Sequence, residues 1–94
     1  MATLDDADIE EAVSHLDWDR EGPELVKVVE KANFAEAMEF VNGVAVMAES
    51  VNHHPDIAIS WNQVTLRLST HSQGGITDAD VALARQIDAL DASA

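Results

Sequence analysis

The hydrophobic period of this chain switches from helical to strand-like across a single proline, Pro55, and that switch limits the folds open to it. Before it, Phe34, Ala37, Met38, Val41, Ala45 and Ala48 recur at helical spacing. Asn33-x-x-Glu36 supplies a cap signature, so a helix is expected from there to about Val51. Pro55 ends the pattern and pushes His54 toward an extended conformation. After it, Ile57, Ile59 and Trp61 alternate with Ala58 and Ser60. Beyond an expected Asn62-Gln63 turn, Val64, Leu66, Leu68 and Thr70 alternate with Thr65, Arg67, Ser69 and His71. Two alternating runs joined by a short turn predict a β-hairpin with one buried face.

The flanking segments extend this pattern. Thr3-x-x-Asp6 reads as a helix cap, followed by an apolar face of Ile9, Ala12, Val13 and Leu16. Gly22-Pro23 is a turn signal between two short expected strands, Asp17 to Arg20 and Leu25 to Glu30, the second favoured by Val26, Val28 and Val29. Gly74-Gly75 breaks the hairpin's second strand, and Thr77-x-x-Asp80 caps a last helix with Leu83, Ala84, Ile87 and Leu90 as its stripe. Gly43 weakens the central helix by about 1 kcal/mol relative to alanine, which points to close packing against a neighbour. The order αββαββα predicts an α+β domain over residues 1–94, a four-stranded antiparallel sheet with three helices on one face.

Composition narrows the function classes. Eighteen acidic residues against five basic ones give a net charge of −13, a surface that repels nucleic-acid phosphates and anionic lipid. The balance suits a salt-adapted organism and an ordinary acidic protein alike. A hydrophobic share of 47% in periodic runs argues against disorder. Without cysteine there is no disulfide, thiolate nucleophile or cysteine-bound zinc. No apolar run has the length of a membrane span, and the acidic N-terminus lacks a signal-peptide layout, so no membrane association and a cytoplasmic location are expected. A core this thin favours self-association.

The candidate chemistry lies in histidines. His53, His54 and His71 fall within nineteen residues of one another, and the expected sheet can return the hairpin's far end to the neighbourhood of Pro55. Glu49 lies four residues before His53, one helical turn away, where its carboxylate can reach the ring. Adjacent residues of a regular strand point to opposite faces, but Pro55 forbids regular geometry at this junction. The spacing is neither His-x-His nor His-x-x-x-His, so no metal is expected.

Glu49-x-x-x-His53-His54-Pro55, then Trp61, then Thr70-His71, then Gly75-x-Thr77-x-x-Asp80 resembles the signature of the pterin-4a-carbinolamine dehydratase family. Phe34-x-x-Ala37-x-x-Phe40-Val41 fits the same pattern, and the predicted element order resembles the family's fold over nearly the whole chain. Ile57 departs from it, standing where many members carry an aromatic. The resemblance implies dehydration of a 4a-hydroxytetrahydropterin to the quinonoid dihydropterin without a cofactor, by homodimers or homotetramers. It implies His53 and His54 as acid–base groups, Glu49 orienting His53, and His71 holding the pterin with backbone groups of Pro55, Thr70, Ser72 and Gln73. Trp61 and Asp80 belong to the signature, but core or rim packing and helix capping account for them equally well. The alternative is a non-enzymatic assembly or dimerisation-cofactor protein on the same fold. Such relatives can dispense with the histidines that this chain retains. A third reading is an enzyme for another pterin, such as a molybdopterin-related compound.

Overall fold

A helix begins where a side chain can satisfy the first free backbone N–H groups. In the computed structural model, which describes residues 2–93, that side chain is Asp5 rather than the expected Thr3. Asp5 Oδ1 accepts from Asp8 N at 2.8 Å and opens α1 (Asp6–Val13). Leu4 N donates to Ile76 O at 2.8 Å, which ties the entry segment to the chain ahead of the last helix and delays the start of α1. Gly22-Pro23 then turns β1 (Asp19–Glu21) into β2 (Glu24–Glu30); β1 is shorter than its expected span.

Asn33 caps α2 (Phe34–Val51) as its spacing predicts, accepting from Glu36 N at 2.8 Å. The hairpin of β3 (Asp56–Ser60) and β4 (Gln63–Leu68) turns on Trp61 and Asn62, one residue earlier than expected, with Ser60 paired to Gln63. Trp61 takes φ 52°, and Asn62 is pinned by Lys31, whose N–H donates to Asn62 O at 2.9 Å while Asn62 Nδ2 donates back to Lys31 O at 2.9 Å. That exchange with the end of β2 fixes the turn's register. A one-turn 3₁₀ helix (His71–Gln73) leads to α3 (Asp78–Ser93).

The strands form one antiparallel sheet in the order β1-β2-β4-β3. Register places Leu25 opposite Leu68 and Val29 opposite Val64, so these share a face with Leu66. All three helices bury their stripes on that face: Ile9 from α1, Phe40 and Val44 from α2, Leu83, Ala84 and Ile87 from α3. Gly43 marks the α2–α3 contact, where an added Cβ would lie 2.9 Å from Leu90 Cδ2. The expected α+β sandwich is present, with one correction. β3 is exposed along its whole length, Ile57 and Ile59 included, because it is the sheet's edge and the helices cover β2 and β4.

Lys27 points into the same buried face as Leu25 and Val29. Its ammonium lies 2.9 Å from Asp17 Oδ2 and 2.9 Å from Asp88 Oδ1, and Asp88 also accepts from Trp18 Nε1 and Asp17 N. Burial alone would lower the pKa of this lysine, but the hydrogen bonds and charges of Asp17 and Asp88 outweigh it and hold the group above its ordinary value. The pair is what permits a lysine in the core.

Candidate active site

The end of α2 decides where the paired histidines point. Asn52 adopts the left-handed conformation, φ 51° and ψ 45°, and its N–H donates to Glu49 O at 3.3 Å while His53 N donates to Ala48 O at 3.1 Å. This double closure is the Schellman arrangement, and asparagine tolerates its left-handed position better than most residues. It turns His53 and His54 off the helical spiral before Pro55 starts the extended segment.

The two rings therefore meet different carboxylates. His53 Nε2 is 2.5 Å from Asp80 Oδ1, with His53 17% exposed and Asp80 fully buried. His54 Nε2 is 2.5 Å from Glu49 Oε2, and both groups are open to solvent, 55% and 76% exposed. This corrects the expectation that Glu49 faces His53. A helical-turn rule assumes both residues remain on the helix, and the left-handed Asn52 removes His53 from it.

Asp80 is the residue that sequence reasoning passed over. It does cap α3 as expected, its Oδ2 accepting from Thr77 N at 2.9 Å. The same oxygen accepts from Thr70 Oγ1 at 2.8 Å, and Thr70 Oγ1 lies 2.7 Å from Thr77 Oγ1. Asp80 thus joins the start of α3 to the end of the hairpin and to the end of α2. The signal available beforehand was its place in the family signature, which capping explained without a second role.

Thr70 closes a loop against Gly75: its N–H donates to Gly75 O at 2.8 Å and its carbonyl accepts from Gln73 N and Gly74 N. Its backbone is spent there, and it offers Asp80 its hydroxyl. His71 and Ser72 follow on the exposed 3₁₀ turn, one residue beyond the Asp80 network. The structure thus links His53, through Asp80, to the hairpin end that carries His71, with His54 next to His53 in sequence and paired with Glu49. The site faces solvent. A separate cleft of about 600 Å³ between α1 and α3 is lined by His15, Asp78 and Arg85 and by none of these three histidines. His15 is exposed and pairs with Glu11 at 3.1 Å. Among the described residues no three such side chains are grouped to hold a metal ion, and no helix is long and apolar enough to cross a membrane.

The site thus sets two imidazole–carboxylate pairs at one end of an α+β sheet, one largely buried and one exposed. The profile of the family described as pterin 4 alpha carbinolamine dehydratase matches residues 2–90, and the chain belongs to that family. A relative in Thermomicrobium roseum, provisionally named pterin-4-alpha-carbinolamine dehydratase, is 50% identical over 91 residues, covering 96% of this chain and 98% of the relative. One in Mycobacteroides abscessus with the same provisional name is 51% identical over 89 residues, 94% of this chain and 95% of its own. Among solved structures, a transcriptional coactivator/pterin dehydratase from Brucella melitensis superposes with a TM-score of 0.91 at 28% identity, covering 95% of this chain and 98% of that one. A pterin dehydratase-like protein identified as a RuBisCO assembly factor in the alpha-carboxysome superposes at 0.67 with 24% identity, over 84% of this chain and 92% of its own, and shows the fold alone.

Proposed function

We propose that the chain dehydrates a 4a-hydroxytetrahydropterin to the quinonoid dihydropterin, regenerating a tetrahydropterin cofactor's precursor, with His53 and His54 as the proton-transfer groups. The carrying observation is the pair of adjacent imidazoles, each held at Nε2 by its own carboxylate, which leaves each ring's Nδ1 for substrate. The 4a-hydroxyl leaves as water once protonated, the N5–H proton passes to a base, and the N5 electron pair forms the C4a=N5 bond. Histidine, with a reference pKa of about 6.5, serves either role near neutrality. Glu49 orients His54. His71 grips the pterin from the exposed turn, with Pro55, Ser72 and Gln73 around it.

The test is dehydration of freshly generated 4a-hydroxytetrahydropterin, followed by absorbance after subtraction of the spontaneous rate. Wild type is expected to accelerate it, His71→Ala to raise KM, and His15→Ala to change neither parameter. No acceleration by folded wild type would replace this reading with the assembly-protein one, which the RuBisCO assembly factor's shared fold supplies.

The active form is a homo-oligomer in this reading. The five-residue β3 pairs with β4 on one side and has no strand on its outer edge, with Ile57, Ile59 and the adjoining Trp61 uncovered, and such edges pair readily. Light scattering is expected to give at least a dimer, and Ile59→Lys to lower the mass. A stable, active wild-type monomer at micromolar concentration would contradict it.

A further inference from the structure

We infer that Asp80 is a positioning residue that fixes the tautomer of His53, so that Nδ1 is the nitrogen that exchanges protons with substrate. The inference rests on the dehydratase reading for its catalytic consequence, but its structural content stands apart from it.

The hydrogen-bond directions around Asp80 leave one solution. Thr77 N is a backbone donor and cannot reverse; it points at Asp80 Oδ2 from 2.9 Å. Thr70 Oγ1 gives its only proton to the same oxygen at 2.8 Å. The Thr77 hydroxyl, which accepts from Ala79 N at 3.3 Å, must therefore donate to Thr70 Oγ1 across 2.7 Å. With Oδ2 saturated, Oδ1 has His53 Nε2 as its partner. A carboxylate accepts and does not donate, so Nε2 carries the proton. In the neutral ring Nδ1 then holds the free lone pair, and in the imidazolium it holds the transferable proton. Either way Nδ1 is the exchanging atom.

Burial separates this pair from its neighbour. Asp80 is fully enclosed, whereas Glu49 and His54 are both mostly exposed and free to exchange partners with water. His53 is thus the ring held in one orientation and one tautomer, as a second partner of a catalytic imidazole generally does.

Asp80→Asn inverts the arrangement with almost no change in volume. The Thr77 N–H requires the amide oxygen at the Oδ2 position, so the amide NH₂ must face His53. Nε2 then has to accept, and the ring proton moves to Nδ1. The experiment uses the full chain labelled with ¹⁵N-histidine, long-range ¹H–¹⁵N spectra at pH 8.5, and the dehydration assay on the same samples. Peaks lost in His53→Gln identify the ring. Wild-type His53 is expected to show a protonated Nε2 and a bare Nδ1. Asp80→Asn is expected to show the reverse, with kcat lowered by on the order of 10²–10⁴ and KM held.

A wild-type His53 protonated on Nδ1 would overturn the inference, as would an Asp80→Asn variant that keeps either the wild-type tautomer or the wild-type kcat. If that variant does not fold, the wild-type spectrum alone decides the tautomer, and Thr70→Val, which removes one donor from Oδ2, tests the coupling. Should wild type show the expected tautomer yet not accelerate dehydration, the Asp80–His53 device stands and the dehydratase reading fails. Acceleration with the opposite tautomer overturns only the inference.

Discussion

The double variant His53→Ala/His54→Ala is expected to lose nearly all enzyme-dependent dehydration while remaining folded. A positioned acid or base contributes roughly 10²–10⁴ in rate, and groups serving one proton-transfer cycle do not add, so the double loss should resemble the worse single loss. The effect belongs in kcat, because proton transfer develops in the transition state, whereas His71→Ala removes contacts made in ground and transition states alike. The two positions differ in their structural cost. His53→Ala leaves the buried Asp80 Oδ1 without its partner, a penalty of about 1–3 kcal/mol, whereas His54 and Glu49 are solvated and can be cut without strain on the fold. Circular dichroism and a melting curve must accompany the kinetics for that reason. Turnover equal to wild type by the folded double variant would end the acid–base assignment to these rings.

The largest expected stability effect lies away from the site, at Lys27. Lys27→Met fits the apolar face formed by Leu25, Val29 and Leu66, but it strips Asp88 of its ammonium while Trp18 and Asp17 continue to hold that carboxylate in place. Removing one partner of a buried pair costs about 3–5 kcal/mol. The lower end is expected here because Asp17, 89% exposed, rehydrates freely. For a domain of this size that corresponds to a melting temperature lower by more than about 10 °C. The loss should also carry a pH signature. Lys27 is held above its ordinary pKa, so its contribution is complete below the unfolded lysine value of about 10.4 and fades as pH rises through the higher folded value. Melts of wild type and Lys27→Met should therefore stay apart from neutral pH to about 10 and converge above it. Equal melting temperatures at neutral pH, or a gap that does not narrow in alkali, would show that the lysine is packed rather than paired.

The amino-acid sequence by itself determined the elements and the class of fold. Asn33 with Glu36 sets the start of α2, Pro55 bars helix beyond its end, and the alternation of Val64, Leu66 and Leu68 dictates which face of β4 is buried. These are local effects: capping, a fixed proline φ and side-chain period act within a few residues and are written in them. The three histidines stood out too, within nineteen residues of one another, and the chain's membership of its family follows from the match over residues 2–90.

Tertiary structure alone decided which carboxylate serves His53. One left-handed residue, Asn52, takes His53 away from Glu49, and Asp80, 27 residues further along, comes to meet it. The exposure of β3 likewise depends on the order β1-β2-β4-β3, which puts an apolar alternating strand at the rim. So does the burial of Lys27, whose neighbours Asp88 and Asp91 arrive with α3. In each case the deciding contact joins segments far apart in the chain, and its existence depends on how helices and sheet pack, a geometry to which no local propensity refers.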